Sequence, residues 1–505
     1  MWEAFYRVIP QGGRGDKPPR IQPFHRVTRS CGVAKDDRVR PVTERFDLVV
    51  IGSGPAGEKG AAQAAYFGKR VAVIERAPEP GGAAVHTGTL PSKTLRETAL
   101  YLSGYRAREL YGVSVSLDPD VTVKKLIARK DAIADAESRR IRRNLERHHV
   151  TYLQGDAKFV APTSVEVRTV DGSTSRIDGE YFLVATGSRP VAPPEIHIED
   201  PDVYDSDEIL SLDKVPGRMT VLGAGVIGCE YACMFAALGT EVTVVEGRPN
   251  FLAFLDRELV DRLRAAMERL GVKFRIGTKW KEVRRAGDTI TAVLADGTDI
   301  PGDKLLFAAG RVGNSDGLGL ELLGVERDSR GAIAVDAQYR TAAPHVYAAG
   351  DVIGFPALAS VSMEQARVAV CHAFGFGYKS AVGALLPYGI YTIPEVSAVG
   401  ETEQTCQEKG IRYVVGRALY SENARGQITG DLEGMTKLIV DAKTRRVVGV
   451  HVIGVLASEL VHIGQVVMHL GGTVDAFIEM VFNYPTLSES FKYAAYSALG
   501  ELAKL

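Results

Sequence analysis

Asp47-Leu-Val-Val-Ile51 runs directly into Gly52-Ser53-Gly54-Pro55-Ala56-Gly57, an apolar pentapeptide followed by a glycine-spaced turn. The apolar run suits a buried strand, and Glu58 to Phe67 reads as the helix that follows the turn. Arg70-Val-Ala-Val-Ile74 is the next strand, ending at Glu75. In a G-x-G-x-x-G turn placed this way, Gly52 permits the tight bend and Gly54 lets a pyrophosphate approach the backbone. Gly57 allows the helix to pack closely on the strand. The helix start offers unpaired N–H groups and a partial positive charge to the diphosphate. Glu75 is then placed to accept hydrogen bonds from an adenosine ribose.

One such turn is weak evidence, but the pattern recurs. Met219-Thr-Val-Leu222 is a strand, Gly223-Ala-Gly225-Val-Ile-Gly228 the turn and Cys229 to Leu238 the helix. Glu241-Val-Thr-Val-Val245 then ends at Glu246. Two complete strand-turn-helix-strand units indicate an internal duplication and two dinucleotide sites. The fold class expected is α/β, with two Rossmann-like dinucleotide-binding domains and a C-terminal α+β domain. Between the two units, Val123 to His148 reads as a charged, solvated helix. Thr163 to Thr169 and Arg176 to Val184 read as a hairpin. Strands Leu438–Val440 and Val447–Ile453 and a helix Glu459 to His469 mark the C-terminal domain.

Composition narrows the function class. At 505 residues the chain is too long for one ordinary core. A net charge of −1 favours neither nucleic acid nor an anionic membrane as a partner, and no apolar run is long enough to span a bilayer. The five cysteines, Cys31, Cys229, Cys233, Cys371 and Cys406, show neither C-x-x-C nor metal-ligand spacing. Cys229 and Cys233 share a helix face and read as small core residues. This usage suits a reducing cytoplasm, and no metal site is expected. Residues 1–45 are rich in arginine, glycine and proline without apolar periodicity. They read as a disordered tail or a non-native extension. A transit peptide is the alternative, opposed by Asp16, Asp36 and Asp37.

From Phe46 to its end the chain resembles the glutathione reductase and dihydrolipoamide dehydrogenase family of flavoproteins. The pieces carrying the resemblance include Gly81-Gly82, Gly88-Thr-Leu-Pro-Ser-Lys93, Ala185-Thr-Gly-Ser188, Ala308-Ala-Gly-Arg311, Tyr347-Ala-Ala-Gly-Asp351, Ile390-Tyr-Thr-Ile-Pro-Glu395 and Pro485-Thr-Leu-Ser-Glu489. The resemblance implies an FAD-binding domain in two parts, 46–195 and 318–385, around an NAD(P)-binding domain at 196–317. A dimerisation domain at 386–505 follows. FAD would be held by the first turn with Glu75, Arg76, Gly81, Gly82, Gly187 and Asp351. The helix near Ala357 to Val370, opening around Ala359, would point its positive end at the flavin. NAD(H) and NADP(H) would be held by Gly223, Gly225, Gly228, Glu246, Arg248 and Gly310. Lys93 would sit by flavin N5, paired with Glu230.

The departures from that family carry as much information. Dithiol-active members place two cysteines where this chain has Ala84 and Thr89. The histidine that serves those thiols is replaced by Tyr484, with Glu489 retained. A phenol with an ordinary pKa of roughly 10 is a poor base at neutral pH. Both halves of the dithiol machinery are absent, so disulfide reduction is excluded on chemical grounds. Within the family, Gly223 to Tyr231, Leu252-Ala-Phe-Leu-Asp256, His462-Ile-Gly-Gln465 and Phe482-Asn-Tyr-Pro-Thr486 resemble the soluble pyridine nucleotide transhydrogenases. Members of that group commonly keep a cysteine at the position of Ala84.

That resemblance implies FAD-dependent hydride transfer between NADPH and NAD⁺ by ping-pong kinetics. Glu246 favours a ribose 2′-hydroxyl and Arg248 a 2′-phosphate, so the two point in opposite directions. The alternatives are an NADH-dependent diaphorase or quinone reductase and, from another class, a redox-sensing binding protein. His462 and His469 lie one heptad apart on an apolar helix and read as packing or dimer contacts. Family members pair through the C-terminal domain, which implies a homodimer.

Overall fold

The computed structural model describes residues 44–104, 111–112 and 119–505. The expectation for residues 1–45 therefore falls almost wholly outside the described residues.

The first parallel sheet has the order Thr151–Gln154, Val71–Glu75, Glu44–Ile51 and Thr174–Val184, with Val346–Ala348 alongside the end of the last strand. Glu44–Ile51 runs at its centre, and Leu48, Val49 and Val50 are buried. A strand covered on both faces has no need of alternating polarity, which is why the run is continuously apolar. The glycine helix is Pro55–Tyr66. It opens ahead of the expected Glu58 because proline is favoured at a first helical position. An added Cβ at Gly60 would meet Leu183 Cδ2 at 2.6 Å and Ala366 Cβ at 3.4 Å. That glycine lets the helix lie directly against the sheet and against the helix Ala359–Phe374.

The expected hairpin is present as Ser164–Arg168 with the first half of Thr174–Val184, Ser164 facing Asp178, and Asp156–Ala161 adds an antiparallel edge. The same plan recurs in the second unit. Its parallel sheet has the order Lys273–Ile276, Glu241–Glu246, Arg218–Leu222, Lys304–Phe307 and Val203–Tyr204, with the glycine helix at Val226–Ala237. An antiparallel meander, Trp280–Ala286, Thr289–Leu294 and Asp299–Gly302, leads into its returning strand. The duplication therefore extends beyond the mononucleotide-binding halves visible in sequence. A short antiparallel ribbon, Ser188–Pro190 with Arg311–Gly313, links the two units.

The C-terminal sheet is antiparallel, in the order Tyr388–Ile390, Val396–Gly400, Val447–Ile453, Met435–Asp441 and Tyr413–Leu419. The helices Ala457–His469 and Ser490–Leu502 pack on it. The expected charged helix spans Pro119–Arg147 and lies against Thr89–Ser103. The second nucleotide unit and the C-terminal sheet share one apolar core, with Met234, Leu255, Ile393 and Met435 in a single cluster. Lys437 is fully buried at that junction, its Nζ 2.6 Å from Asp256 and 2.9 Å from Glu258, with Glu403 as a third acid. Among the described residues no helix is long and apolar enough to cross a membrane.

Candidate functional site

Gly52 and Gly223 occupy the same place at the ends of the two central strands, with φ of 100° and 107°. A side chain there would run into the carbonyl oxygens of Ala185 and Ala308, at 2.4 and 2.7 Å. Both turns lie on the wall of one cavity of about 2120 Å³. Ordinary small-molecule pockets hold about 300–1,000 Å³, so this space admits two dinucleotides. Gly54, Glu75, Arg76 and Gly82 face it from the first unit, with Gly187, Asp351 and Ala359 further along the same wall. Gly225, Glu246, Arg248 and Gly310 face it from the second. Gly57, Gly81 and Gly228 are not on its surface. Gly57 and Gly228 pack against their own turns, and the Gly81 N–H donates to Ser53 Oγ at 3.3 Å.

The two strand-end acids are oriented in parallel ways. Glu75 accepts from the Ser53 N–H at 2.8 Å, the Ser53 hydroxyl at 2.7 Å and the Ala77 N–H at 2.8 Å. Glu246 accepts from the Ala224 N–H at 3.1 Å and the Arg248 N–H at 2.9 Å. Arg248 also donates through its side chain, Nε to Oε1 at 3.0 Å and Nη2 to Oε2 at 2.8 Å. Burial pushes the Glu246 carboxyl up, but the bonds from Arg248 and Ala224 outweigh it and hold it below its ordinary value.

The same cavity wall carries the pair Lys93–Glu230. Lys93, on the helix Thr89–Ser103, reaches Glu230 on the second glycine helix with Nζ···Oε distances of 2.9 and 3.1 Å. The Glu230 side chain is only 4% exposed, and Lys93 is its ion-pair partner. The Tyr391 N–H donates to Glu230 at 2.9 Å, and the Lys93 ammonium lies 4.8 Å from the centre of the Tyr391 ring. Both members of the pair reach the cavity wall, as do Ala84 and Thr89. Cys229, Cys233, Cys371 and Cys406 are buried, and among the described residues no cysteine faces the cavity. Burial drives the Cys233 thiol up to about 12, so it forms no thiolate near neutrality.

Several residues that hold the site together escaped the sequence reading. Arg311 donates to the Ser188 hydroxyl and carbonyl oxygen, both at 2.9 Å, and pairs with Asp207 at 3.2 Å. Ser188 in turn donates to Asp351 at 3.0 Å. Burial holds the Asp207 carboxyl above its ordinary range in spite of Arg311. Arg96, 3% exposed, donates to the Thr392 carbonyl oxygen at 2.9 Å and pairs with Glu395 at 3.0 Å. Arg311, Tyr391 and Glu395 lie inside quoted motifs, which was the available signal. Arg96 carried none. Tyr484 and Glu489 are not on the cavity wall of their own chain. His462 reaches the wall and His469 does not; both are exposed.

Comparison with known proteins places this geometry. Residues 46–373 match the model of the pyridine nucleotide-disulphide oxidoreductases, and residues 386–495 match the dimerisation domain of that family. The chain is 46% identical over 461 residues to a soluble pyridine nucleotide transhydrogenase of Mycobacterium bovis, covering 91% of this chain and 98% of that one. It is 39% identical to another from Erwinia tasmaniensis, covering 90% and 98%. Among solved structures, the flavoprotein disulfide reductase RclA of Escherichia coli, as its Cu(II) complex, superposes with a TM-score of 0.82 at 28% identity, covering 90% of this chain and 99% of that one. LpdA of Mycobacterium tuberculosis gives 0.82 at 29%, with the same coverage. The α/β class and the resemblance read from the motifs agree with these matches, as do FAD and pyridine nucleotides as cofactors. The chain belongs to the pyridine nucleotide-disulphide oxidoreductase family of flavoprotein oxidoreductases.

Proposed function

We propose that this protein exchanges hydride between NADPH and NAD⁺, with the two nicotinamide nucleotides occupying one site in turn and no dithiol relay. The observation carrying this reading is a cavity that joins two glycine turns, has the Lys93–Glu230 pair on its wall and presents Ala84 and Thr89 where a relay would need thiols. The soluble transhydrogenases to which the chain is similar support it. FAD would supply the two-electron carrier between donor and acceptor.

The roles of the chain's own residues follow from their placement. Gly52, Gly54, Gly57, Gly81 and Gly82 allow a diphosphate to lie on the first turn; Glu75 and Arg76 flank its ribose end. Gly187, Asp351 and Ala359 complete that side. Gly223, Gly225, Gly228, Glu246, Arg248 and Gly310 do the same for the exchanging nucleotide. Lys93 lies on the shared wall, and Glu230, itself bonded by the Tyr391 N–H, fixes its position. Donor and acceptor nicotinamides have nearly equal potentials, so positioning carries the catalysis and no acid–base group is needed. The domain division is 46–195 with 318–385 for FAD, 196–317 for the nicotinamide nucleotide and 386–505 for pairing.

Pairing of two copies through the last of these is part of the proposal. Val481 is 94% exposed, Leu470 77% and Tyr484 74%, apolar or aromatic side chains of that domain that pairing with a second copy would bury. Such a pairing would bring the Asn483-Tyr484-Pro485 segment to the neighbouring cavity. A cytoplasmic setting completes the reading.

Mixing the holoprotein with NADPH and thio-NAD⁺, an analogue with distinct absorbance, tests it. Formation of reduced thio-NAD⁺ with parallel double-reciprocal plots is expected. Reduction by NADH alone, with discharge to a quinone and none to thio-NAD⁺, would overturn it. That outcome defines the second reading, an NADH-dependent quinone reductase, which the carboxylate of Glu246 at the end of its strand favours.

A further inference from the structure

Lys93 and Arg96 lie one turn apart on the helix Thr89–Ser103, and both meet residues 391–395. The Lys93 ammonium is placed by Glu230, by the Ser92 hydroxyl at 3.2 Å and by the Tyr391 ring, 4.8 Å from its centre. Two of these three contacts depend on one short segment. Tyr391 supplies the ring, and its N–H holds the Glu230 carboxylate at 2.9 Å. A shift of residues 391–395 would therefore move both the acid and the ring that place the lysine.

That segment is tied down by Arg96. Its Nε donates to the Thr392 carbonyl oxygen at 2.9 Å, and its Nη1 lies 3.0 Å from Glu395 Oε1 and 2.5 Å from the exposed Glu97. The other Glu395 oxygen accepts from the Ser458 hydroxyl at 3.0 Å, at the start of the helix Ala457–His469. The planar guanidinium serves two acceptors of the segment at once, which an ammonium on a flexible stem does not reproduce. Arg96 itself is not on the cavity wall, whereas Lys93, Glu230, Tyr391 and Ser458 are. Its side chain is 3% exposed, so the charge is buried to hold this segment rather than to meet a ligand.

We propose that Arg96 is a positioning residue for the hydride exchange. Through Thr392 and Glu395 it fixes residues 391–395, and through them the place of the Lys93 ammonium on the cavity wall. Its effect passes through Lys93 and falls on the reaction step, leaving nucleotide binding alone. The inference rests on the exchange reading above, which puts that step in this cavity.

The test is a double-substitution cycle on the holoprotein. Arg96→Lys keeps a charge opposite Glu395 and loses the fork that also reaches Thr392. Single-turnover flavin reduction by NADPH should slow about tenfold. Binding of 2′,5′-ADP, the adenosine end of NADPH without its nicotinamide, should stay within about twofold of wild type. Lys93→Met should slow the same step, and adding Arg96→Lys to it should slow it no further, because both changes remove one effect. A merely structural arginine would slow both backgrounds by the same factor. Flavin content and melting temperature control for folding, and Glu395→Gln carries the same cycle from the other end of the pair if Arg96→Lys loses its flavin. Wild-type rates in the single variant overturn the proposal, as do equal factors in the two backgrounds or a loss of 2′,5′-ADP affinity that matches the loss of rate. Thio-NAD⁺ reduction by NADPH on the same preparations separates the two claims. Exchange with equal factors sinks the positioning role alone; coupling of Arg96 to Lys93 without exchange sinks the exchange reading alone.

Discussion

At Gly57 an added Cβ would sit 1.8 Å from the Gly52 carbonyl oxygen, and at Gly228 it would sit 1.9 Å from that of Gly223. The two turns are thus built alike to a fraction of an ångström, and they differ in what covers them. A Cβ at Gly82 would come within 2.9 Å of the Gly54 Cα, so the first turn is roofed by the segment that leads to Lys93. A Cβ at Gly225, the counterpart of Gly54, meets nothing within 4 Å. The acids differ in the same direction: Glu75 is fixed by backbone groups and a serine, Glu246 by backbone groups and the exposed side chain of Arg248. A roofed turn with a rigid acid suits a cofactor that stays. An open turn with an adjustable acid suits a nucleotide that comes and goes.

The largest effect should come from filling the shared contact. Gly57→Ala and Gly228→Ala each force a methyl into a carbonyl oxygen, an overpacking that costs about 1–3 kcal/mol or more where backbone must move. Gly57→Ala is expected to yield protein without flavin absorbance and with activity lowered by at least about 100-fold, equivalent to about 2.7 kcal/mol. Gly228→Ala should keep its flavin and lose reduction by both NADPH and NADH. Flavin spectra and anaerobic reduction traces decide it. Loss of flavin from Gly228→Ala would mean that the two turns are not independent sites.

What was legible in the sequence divides along physical lines. The turns and strand-end acids lie within stretches of about twenty residues, where periodicity and glycine spacing encode them locally. Lys93 and Glu230 are separated by 137 positions, and only the family resemblance joined them. Arg96 and Thr392 are 296 apart, and no local pattern marks a buried arginine bonded to a distant carbonyl oxygen. Lys437 sits in a strand that reads as ordinary core, although its ammonium is enclosed by Asp256, Glu258 and Glu403. The extent of the duplication was likewise hidden, since antiparallel meanders of unlike sequence carry no shared motif.

A smaller effect is expected at the ion pair that joins the helix Thr89–Ser103 to the second glycine helix. Glu230→Gln leaves the Lys93 ammonium over Tyr391 with a neutral partner. Breaking a fully buried pair costs about 3–5 kcal/mol, and Lys93 is 26% exposed, so a cost of about 1–3 kcal/mol is the better scale here. Single-turnover reduction by NADPH should slow about tenfold to 100-fold, with 2′,5′-ADP binding almost unchanged. An equal loss of binding would show that Glu230 shapes the nucleotide site rather than the space between the sites.

Gly225→Ala sharpens the contrast in cover. Its methyl has open space around it, so stability should change by less than about 0.5 kcal/mol. The same methyl stands where a pyrophosphate must approach, so KM for both nucleotides should rise about tenfold while kcat holds. A KM left as in wild type would place the diphosphate elsewhere.

The faintest signal concerns acid. Glu246 is held below its ordinary carboxyl value, chiefly by Arg248 acting against burial. A group lowered on folding contributes stability above its unfolded pKa, about 4.3 for glutamate, and loses it as pH falls through the folded value. Arg248→Ala removes the main cause of the lowering while leaving the Ala224 N–H bond. Because Arg248 is mostly exposed, the variant should lose no more than about 1 kcal/mol at pH 7 in urea unfolding. That difference should shrink as pH drops below about 4, where the carboxylate is protonated in both proteins. No comparable loss is expected for Arg76→Ala, because Glu75 takes its bonds from Ser53 and Ala77 and none from Arg76. Equal and pH-independent losses in the two variants would mean that the arginine beside Glu246 is as incidental to its acid as the one beside Glu75, and the distinction between a fixed and an adjustable site would fail.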